Sequence, residues 1–290
     1  MITSILSVLL LGMLPMIGNA SPGRIMIARL PIASPSPLVA TLPQFHTLSD
    51  ALTASGVLIM DLQSGQQMYA RDADTRRPVA SLTKLMTALV IAESHDLREW
   101  VPVPADIGRV GGHVAYLPPG EHFTVGDLLK ALLIGSANDA ADTLASFHSG
   151  SSLAFAEEMN QRARELGLRN TSFRNPAGLD DDEQWSTARD IGWLVSYVVR
   201  RPELRTRLST LSAVIVSREG NELTLSQTHA LLRGDNPIIA GKTGTTDLAG
   251  ECLMSIVREG SRDYVVVLLG SRERYEDMRV VLRILAALVA

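Results

Sequence analysis

Ser81 and Lys84 stand three residues apart at the front of an apolar, helix-periodic run. Positions three apart lie on one face of a helix, so the serine hydroxyl and the lysine amine can meet without help from distant parts of the chain. A hydroxyl next to an amine base is an activated nucleophile. The pattern also predicts that the helix buries an apolar stripe, which consists of Leu82, Leu85, Met86, Leu89 and Val90.

Two further short motifs accompany this pair. Ser136 and Asn138 flank one alanine directly after an apolar run, and a Lys-Thr-Gly-Thr sequence at 242–245 follows another apolar run. The order S-x-x-K, then S-x-N, then K-T-G is typical of serine enzymes that form an acyl-enzyme. Because the three motifs lie far apart in the chain, only tertiary folding can bring them together around one site.

With these motifs the chain resembles the serine D-alanyl-D-alanine carboxypeptidases, the low-molecular-mass penicillin-binding proteins that trim peptidoglycan stem peptides. The likeness runs from about residue 52 to residue 285 and is densest in four stretches, 78–87, 138–141, 175–180 and 186–190. It implies a β-lactamase/DD-peptidase-like fold that needs no cofactor. It also implies stem peptides ending in D-Ala-D-Ala as substrates and β-lactams as covalent inhibitors.

The resemblance implies a role for each motif residue. Ser81 is expected to be the nucleophile, Lys84 its base, and Ser136 a proton relay to the leaving D-alanine. Asn138 is expected to hold either Lys84 or the substrate amide, and the backbone NH groups of Ser81 and Thr245 are expected to form the oxyanion hole. The substrate-binding residues expected beside Asn138 are Lys242, Thr243, Gly244 and Thr245.

Lys84 can act as a base near neutral pH only if its amine is uncharged. A free lysine has a pKa of about 10.4, so its pKa must fall by about three, which corresponds to about 4 kcal/mol. Burial and a nearby cation both lower a lysine pKa. We expect Lys242 to be that second cation.

Several alternatives stay open at the level of sequence. A DD-endopeptidase that cuts peptidoglycan cross-links would carry the same motifs, and so would a non-catalytic muropeptide or β-lactam sensor. Relatives usually carry His-Tyr at Gln184-Trp185 and often histidine at Ala177, so the contribution of this loop is an open question. A class A β-lactamase is disfavoured, because residues 169–182 contain no glutamate that could activate water.

The elements that must position these motifs follow from the residue pattern. A β-hairpin over 56–71 opens the body, and strands return near its end at 213–216, 222–225, 238–244, 253–257 and 264–269. Helices are predicted between them at 124–133, 139–147, 152–166 and 187–199, with a terminal helix over 278–289. We therefore predict an α/β fold of the α+β type: an antiparallel sheet built from both chain ends, flanked by helices, with an all-helical insert and a site in the cleft between.

Composition predicts three regions in the 290 residues. An apolar stretch that ends in small residues predicts a secretory signal peptide at 1–20. An uncleaved anchor is the alternative, because no Lys or Arg precedes the apolar stretch. Five prolines make 21–45 a linker, and 46–290 is the expected catalytic domain. The protein is therefore expected to be secreted or periplasmic. Because five residues follow Leu285, we expect any membrane attachment at the N-terminus.

Other features argue against other classes of function. The net charge of −4 and the lack of a basic run disfavour nucleic-acid binding. The six histidines are scattered, so we expect no metal site. Gly241-Lys242-Thr243 lacks the upstream glycine of a phosphate-binding loop. The single cysteine, Cys252, has no partner for an intramolecular disulfide, so stability must come from the core.

Overall fold

The structure is a computed structural model that describes residue 48 and residues 51–289. The predicted signal peptide and linker lie outside the described residues. In chain order the strands are β1 (Gly56–Asp61), β2 (Gln67–Arg71), β3 (Trp100–Pro102), β4 (His122–Thr124), β5 (Ser212–Val216), β6 (Glu222–Ser226), β7 (Ile238–Thr246), β8 (Gly250–Glu259) and β9 (Arg262–Ser271). The α-helices are α1 (Lys84–Ser94), α2 (Val125–Leu133), α3 (Asn138–Ser149), α4 (Ser152–Leu166), α5 (Ala188–Val198), α6 (Pro202–Ser209) and α7 (Arg274–Val289).

One five-stranded antiparallel sheet joins the two ends of the body in the order β2-β1-β9-β8-β7. Both of its faces are covered. In β1, Leu58 and Met60 belong to the core shared with the helical insert, whereas Val57 and Ile59 belong to a second core that includes Met278 of α7. Successive side chains of a strand point to opposite faces, so a sheet covered on both sides needs nearly continuous apolar strands.

The helical insert packs around α1. Every residue of α1 from Lys84 to Ala92 is buried, as expected for a helix that is surrounded by other helices rather than lying at the surface. The predicted N-caps of α2 and α5 are confirmed, because the hydroxyls of Thr124 and Thr187 each accept a hydrogen bond from the backbone NH three residues on.

Three local features differ from the sequence prediction. Ser81 lies in a 3-10 turn, Ala80–Thr83, directly before α1 rather than inside the α-helix. β5 and β6 form a separate two-stranded sheet. Pro202 begins α6, a helix that the sequence analysis did not predict; proline fits the first turn of a helix, where its missing NH would have no partner.

β7 is an edge strand of the main sheet, and it contacts α6 of the helical insert. The turn that carries Ser81 packs against β7 and β8. The predicted cleft between the sheet and the insert therefore has β7 as one wall. Within residues 51–289 no helix is both long and apolar enough to span a membrane.

Candidate active site

The nucleophile turn brings Ser81 and Lys84 into direct contact. Lys84 Nζ lies 2.8 Å from Ser81 Oγ, within hydrogen-bond distance. Ala80, immediately before Ser81, has a φ of 47°, a left-handed conformation that is costly for a residue with a side chain. Such strain persists only where neighbouring structure enforces it, and two glycines, Gly178 and Gly244, lie against this turn.

Lys84 is completely buried and holds three oxygen atoms around its amine. Besides Ser81 Oγ, these are Asn138 Oδ1 at 2.7 Å and the carbonyl oxygen of Ala177 at 2.6 Å. Burial lowers the pKa of Lys84 well below its ordinary value, and the positive charge of Lys242 lowers it further, against an opposing effect of Asp139. The structure therefore has both of the causes that we expected from the sequence.

The three partners of Lys84 also fix where its proton acceptor lies. A neutral amine has two N–H bonds and one lone pair. Asn138 Oδ1 and the Ala177 carbonyl oxygen can only accept hydrogen bonds, so they take the two N–H groups. The lone pair is then left for the hydroxyl of Ser81, which is the arrangement that a general base requires.

Both ends of the Asn138 side chain are engaged within the protein. Its Oδ1 accepts from Lys84, and its Nδ2 donates 2.7 Å to the carbonyl oxygen of Gly111. Of the two roles expected for Asn138, this geometry corresponds to the one that holds Lys84.

Ser136 and Lys242 form a second hydroxyl–amine pair. Ser136 lies between α2 and α3 with a φ of 56°, and its Oγ accepts a hydrogen bond of 2.6 Å from Lys242 Nζ. Burial, followed by the positive charge of Arg274, lowers the pKa of Lys242 to about 7. Lys242 can therefore gain and lose a proton near neutral pH, next to a hydroxyl that can pass it on.

The Lys-Thr-Gly-Thr segment of β7 lies directly beside the nucleophile. A Cβ atom at Gly244 would stand 2.9 Å from the backbone nitrogen of Ser81 and 3.1 Å from the carbonyl oxygen of Val79. Only glycine permits this approach without a shift of either segment. The close contact puts the backbone of Gly244 and Thr245 next to the Ser81 NH, where two NH groups can share one oxyanion.

Arg274 is a site residue that the sequence analysis missed. It begins α7, and its Nη1 donates to the carbonyl oxygen of Gly244 at 3.0 Å and to Thr245 Oγ1 at 2.7 Å. Thr243 Oγ1 is also engaged, in a hydrogen bond of 2.7 Å with Thr228 Oγ1. Nothing in the sequence around Arg274 distinguishes it from the other arginines, because its role depends on where the end of the chain folds.

The loop that follows α4 supplies a backbone atom rather than a side chain. Ala177 contacts Lys84 through its carbonyl oxygen, so a histidine at this position is not needed for that contact. Gln184 is buried and braces the loop. Its Oε1 accepts from the backbone NH groups of Arg174 and Asn175, and its Nε2 donates to the carbonyl oxygen of Leu179. Gln184 thus braces the backbone on both sides of Ala177.

Glu183, the first glutamate after residues 169–182, is not set up to activate water. Glu183 is exposed, and its carboxylate lies 3.4 Å from Arg174 Nε. No cluster of His, Cys, Asp and Glu side chains suited to a metal ion occurs in the part of the chain that the structure describes. The polar groups around Ser81 are therefore amines, hydroxyls and amides, which suit acyl transfer to a serine.

Comparisons with known proteins show which family the chain belongs to. A sequence profile of the family described as D-alanyl-D-alanine carboxypeptidase matches residues 43–273. The chain is 30% identical to the carboxypeptidase DacF of Bacillus subtilis over 223 residues, which cover 75% of this chain and 57% of that protein. It is 34% identical to the D-alanyl-D-alanine endopeptidase of Pseudomonas aeruginosa over 226 residues, which cover 77% of this chain and 71% of that protein.

The chain is also similar to the solved structure of a DD-transpeptidase. The Streptomyces K15 DD-transpeptidase superposes with a TM-score of 0.75 and 28% sequence identity, over 81% of this chain and 96% of that chain. This likeness confirms the predicted fold class. The chain spans little more than half the length of the Bacillus carboxypeptidase, at 57%. From the profile match and the relatives together, we conclude that the chain belongs to the D-alanyl-D-alanine carboxypeptidase family.

Proposed function

We propose that this protein is a serine DD-carboxypeptidase that removes the terminal D-alanine from peptidoglycan stem peptides through an acyl-enzyme on Ser81. The observation that carries the proposal is the environment of Lys84. A buried amine whose two N–H groups are taken by oxygen acceptors presents its lone pair to the Ser81 hydroxyl. Family membership supports the same reaction.

Acylation follows from this arrangement. Lys84 accepts the Ser81 hydroxyl proton while Oγ attacks the carbonyl carbon of the penultimate D-alanine. The backbone NH groups of Ser81 and Thr245 stabilise the resulting oxyanion. When the carbon–nitrogen bond breaks, the leaving amine takes a proton from the Ser136 hydroxyl, and Lys242 replaces that proton through its hydrogen bond to Ser136 Oγ.

The carboxylate of the leaving residue has a suitable anchor at β7. The hydroxyls of Thr243 and Thr245 can donate to it, and Arg274 and Lys242 supply positive charge. Because Lys242 has a pKa of about 7, Arg274 is the member of this pair that stays charged over the whole neutral range. We therefore include Arg274 among the substrate-binding residues.

Hydrolysis of the acyl-enzyme completes the cycle, with a water molecule in place of the leaving amine. Acylation leaves Lys84 protonated and Lys242 neutral. Once Lys84 has returned its proton to Lys242 by way of solvent, it is the base that can take the proton of this water. A β-lactam leaves its own ring fragment tethered after acylation and so blocks the path of water. Glu183 is engaged with Arg174 at the surface and does not serve as a second base for this step, so we expect penicillins to be long-lived covalent inhibitors.

The substrate also indicates where the protein acts. Peptidoglycan lies outside the cytoplasmic membrane, so the protein has to be exported. The apolar stretch at residues 5–17, followed by Gly18-Asn19-Ala20, supports a secretory signal at 1–20 and a catalytic domain that begins near residue 46. Attachment to a membrane through the N-terminus is part of this proposal.

The test uses protein that begins after the predicted signal. Release of D-alanine from a peptide ending in D-Ala-D-Ala is measured for the unaltered protein and for Ser81→Ala and Lys84→Ala. We expect both variants to lose release. Lys130→Ala is the matched control, because Lys130 is a partly exposed lysine that pairs with Asp127 on α2. Peptide mapping after labelling with a fluorescent penicillin should place the label on Ser81.

The outcome also separates the alternatives. Full release by either Ser81→Ala or Lys84→Ala contradicts the mechanism. A label on Ser81 without any turnover of peptide identifies a sensor. A DD-endopeptidase is the second candidate, supported by the Pseudomonas relative of that name. Digestion of intact sacculi distinguishes it, because only an endopeptidase removes cross-linked dimers.

A further inference from the structure

A cavity of about 290 Å³ opens beside the segment that leads into the nucleophile turn. Its walls come from three parts of the chain: the residues before Ser81, the loop after α4, and the turn between β7 and β8. The side chains that matter for its chemistry are Arg76, Pro78, Asp181, Asp182, Trp185 and Leu248.

The cavity lies where a bound peptide would leave the active site. In the proposed function the substrate carboxylate sits near Thr243 and the scissile carbonyl near Thr245, so the peptide runs antiparallel to the edge strand β7. An extended chain advances about 3.3 Å per residue. This geometry puts the residue that precedes the D-Ala-D-Ala pair beside Thr246, two residues before Leu248, which lines the cavity.

A contact between the loop and the β7–β8 turn marks that mouth. The backbone NH of Leu248 donates 3.2 Å to Asp180 Oδ2, and the Leu248 side chain is 59% exposed. Pro78, another lining residue, precedes Ser81 by three residues. The cavity is thus lined by the segment that leads into the catalytic serine, whereas Ser136 and Lys242 are not among its lining residues.

The walls of the cavity carry both signs of charge. Arg76 stacks over Trp185 with its guanidinium carbon 5.5 Å from the ring centre, and it donates to Asn170 Oδ1. These contacts hold the guanidinium in place at the surface. Asp181 and Asp182 are exposed, and between residues 51 and 289 neither carboxylate takes part in an ion pair. The cavity therefore offers a fixed cation and two carboxylates available to a ligand.

We propose that this cavity is a specificity site for the side chain of the residue that precedes the D-Ala-D-Ala pair. The class of side chain that fits is one ending in both an ammonium and a carboxylate group. The ammonium pairs with Asp181 and Asp182, and the carboxylate pairs with Arg76. This inference rests on the proposed function, because it requires a peptide acylated at Ser81.

The test compares three acetylated tripeptides that end in D-Ala-D-Ala and differ only in their first residue. That residue is diaminopimelate linked through one end, lysine, or norleucine, so its side chain is zwitterionic, cationic or neutral. D-Alanine release gives kcat/KM for each. Exposed ion pairs are weak, so we expect about a threefold gain per pair and about tenfold for diaminopimelate over norleucine.

Variants assign the preference to the cavity. The double variant Asp181→Asn and Asp182→Asn should no longer favour the lysine peptide over the norleucine peptide. It should also lose most of the preference for the diaminopimelate peptide over the norleucine peptide. Arg76→Gln should lower kcat/KM for diaminopimelate alone. Neither should change kcat/KM for the norleucine peptide, which reports on the integrity of the loop. Glu183→Gln is the matched control, since it removes a carboxylate from the same loop that does not line the cavity.

Two results overturn the inference: equal kcat/KM for the three peptides in the unaltered protein, or an unchanged preference in the double variant. An equal loss for all three peptides in Arg76→Gln also counts against it, because it shows that Arg76 acts only through the loop. Failure of the proposed function has a different outcome, namely no D-alanine release from any of the three peptides.

Discussion

Replacement of Gly178 by alanine would test whether the loop after α4 positions the catalytic base. A Cβ atom at residue 178 would stand 2.0 Å from the carbonyl oxygen of Ala80, whereas real Cβ contacts are essentially never under 3.0 Å. The loop or the nucleophile turn must therefore move by about 1 Å. The hydrogen bond from Lys84 Nζ to the Ala177 carbonyl, now 2.6 Å, would stretch beyond its normal range.

The size of the effect follows from what is lost. A hydrogen bond to a group that becomes charged is worth about 1.5–3 kcal/mol, and Lys84 becomes charged when it takes the Ser81 proton. At 1.36 kcal/mol for each factor of ten, acylation should slow by about 10- to 150-fold. Gly178 also has a φ of +86°. The free energy of unfolding falls by about 1 kcal/mol because alanine is strained in that conformation, and by a further amount of about 1–3 kcal/mol because of the overlap.

Gly167→Ala is the matched control for this experiment. Gly167 has a φ of +79°, but no atom lies within 4 Å of the position that its Cβ would take. Alanine at residue 167 is therefore strained by the backbone conformation but does not overlap with another atom. The assay measures the second-order rate of acylation by a fluorescent penicillin, together with the melting temperature of each variant.

We expect Gly167→Ala to melt about 3 °C lower and to acylate at the rate of the unaltered protein. Gly178→Ala should melt about 10 °C lower and acylate much more slowly. The reasoning is refuted if Gly178→Ala acylates within about threefold of the rate of the unaltered protein and has the same melting temperature as Gly167→Ala.

Two further predictions concern charge and stability. Arg274→Gln removes a cation that lowers the pKa of Lys242, so Lys242 should keep its proton to a pH above about 7. The chain has three lysines, so NMR of protein labelled at lysine Cε gives one signal for each during a pH titration, with Lys130 as the internal reference. An unchanged titration midpoint of Lys242 in Arg274→Gln contradicts the prediction. Asp277→Ala removes a buried carboxylate that accepts from the backbone NH of Thr53 at 2.7 Å and ties α7 to the start of β1. It should lower the free energy of unfolding by about 3 kcal/mol without changing the acylation rate, because Asp277 bonds to Thr53, Ala54 and Ser271, none of which is a site residue. Thermal unfolding and penicillin labelling check both parts of the prediction, and slower acylation would show that this tie reaches the active site.

Much of the fold could be predicted because its elements leave local patterns. The hairpin of β1 and β2, the apolar runs of β7, β8 and β9, and the caps of α2 and α5 all depend on residues that are close in sequence. Thr124 and Thr187, for example, bond to a backbone NH only three residues away. No local pattern indicated which strands β5 and β6 would pair with. Their pairing depends on the tertiary structure, in which they form a separate two-stranded sheet.

The sequence by itself determined the chemistry of the site. Three motifs in the order S-x-x-K, S-x-N and K-T-G specified a nucleophile, two amines and a carboxylate anchor, and the spacing of Ser81 and Lys84 made their contact a local event. What only the tertiary structure decided was the state of those groups. The depressed pKa of Lys84 depends on complete burial and on Lys242, and its orientation depends on a backbone carbonyl at Ala177. Desolvation and backbone contacts depend on the surroundings of a residue rather than on its type, so they exist only once distant segments have met.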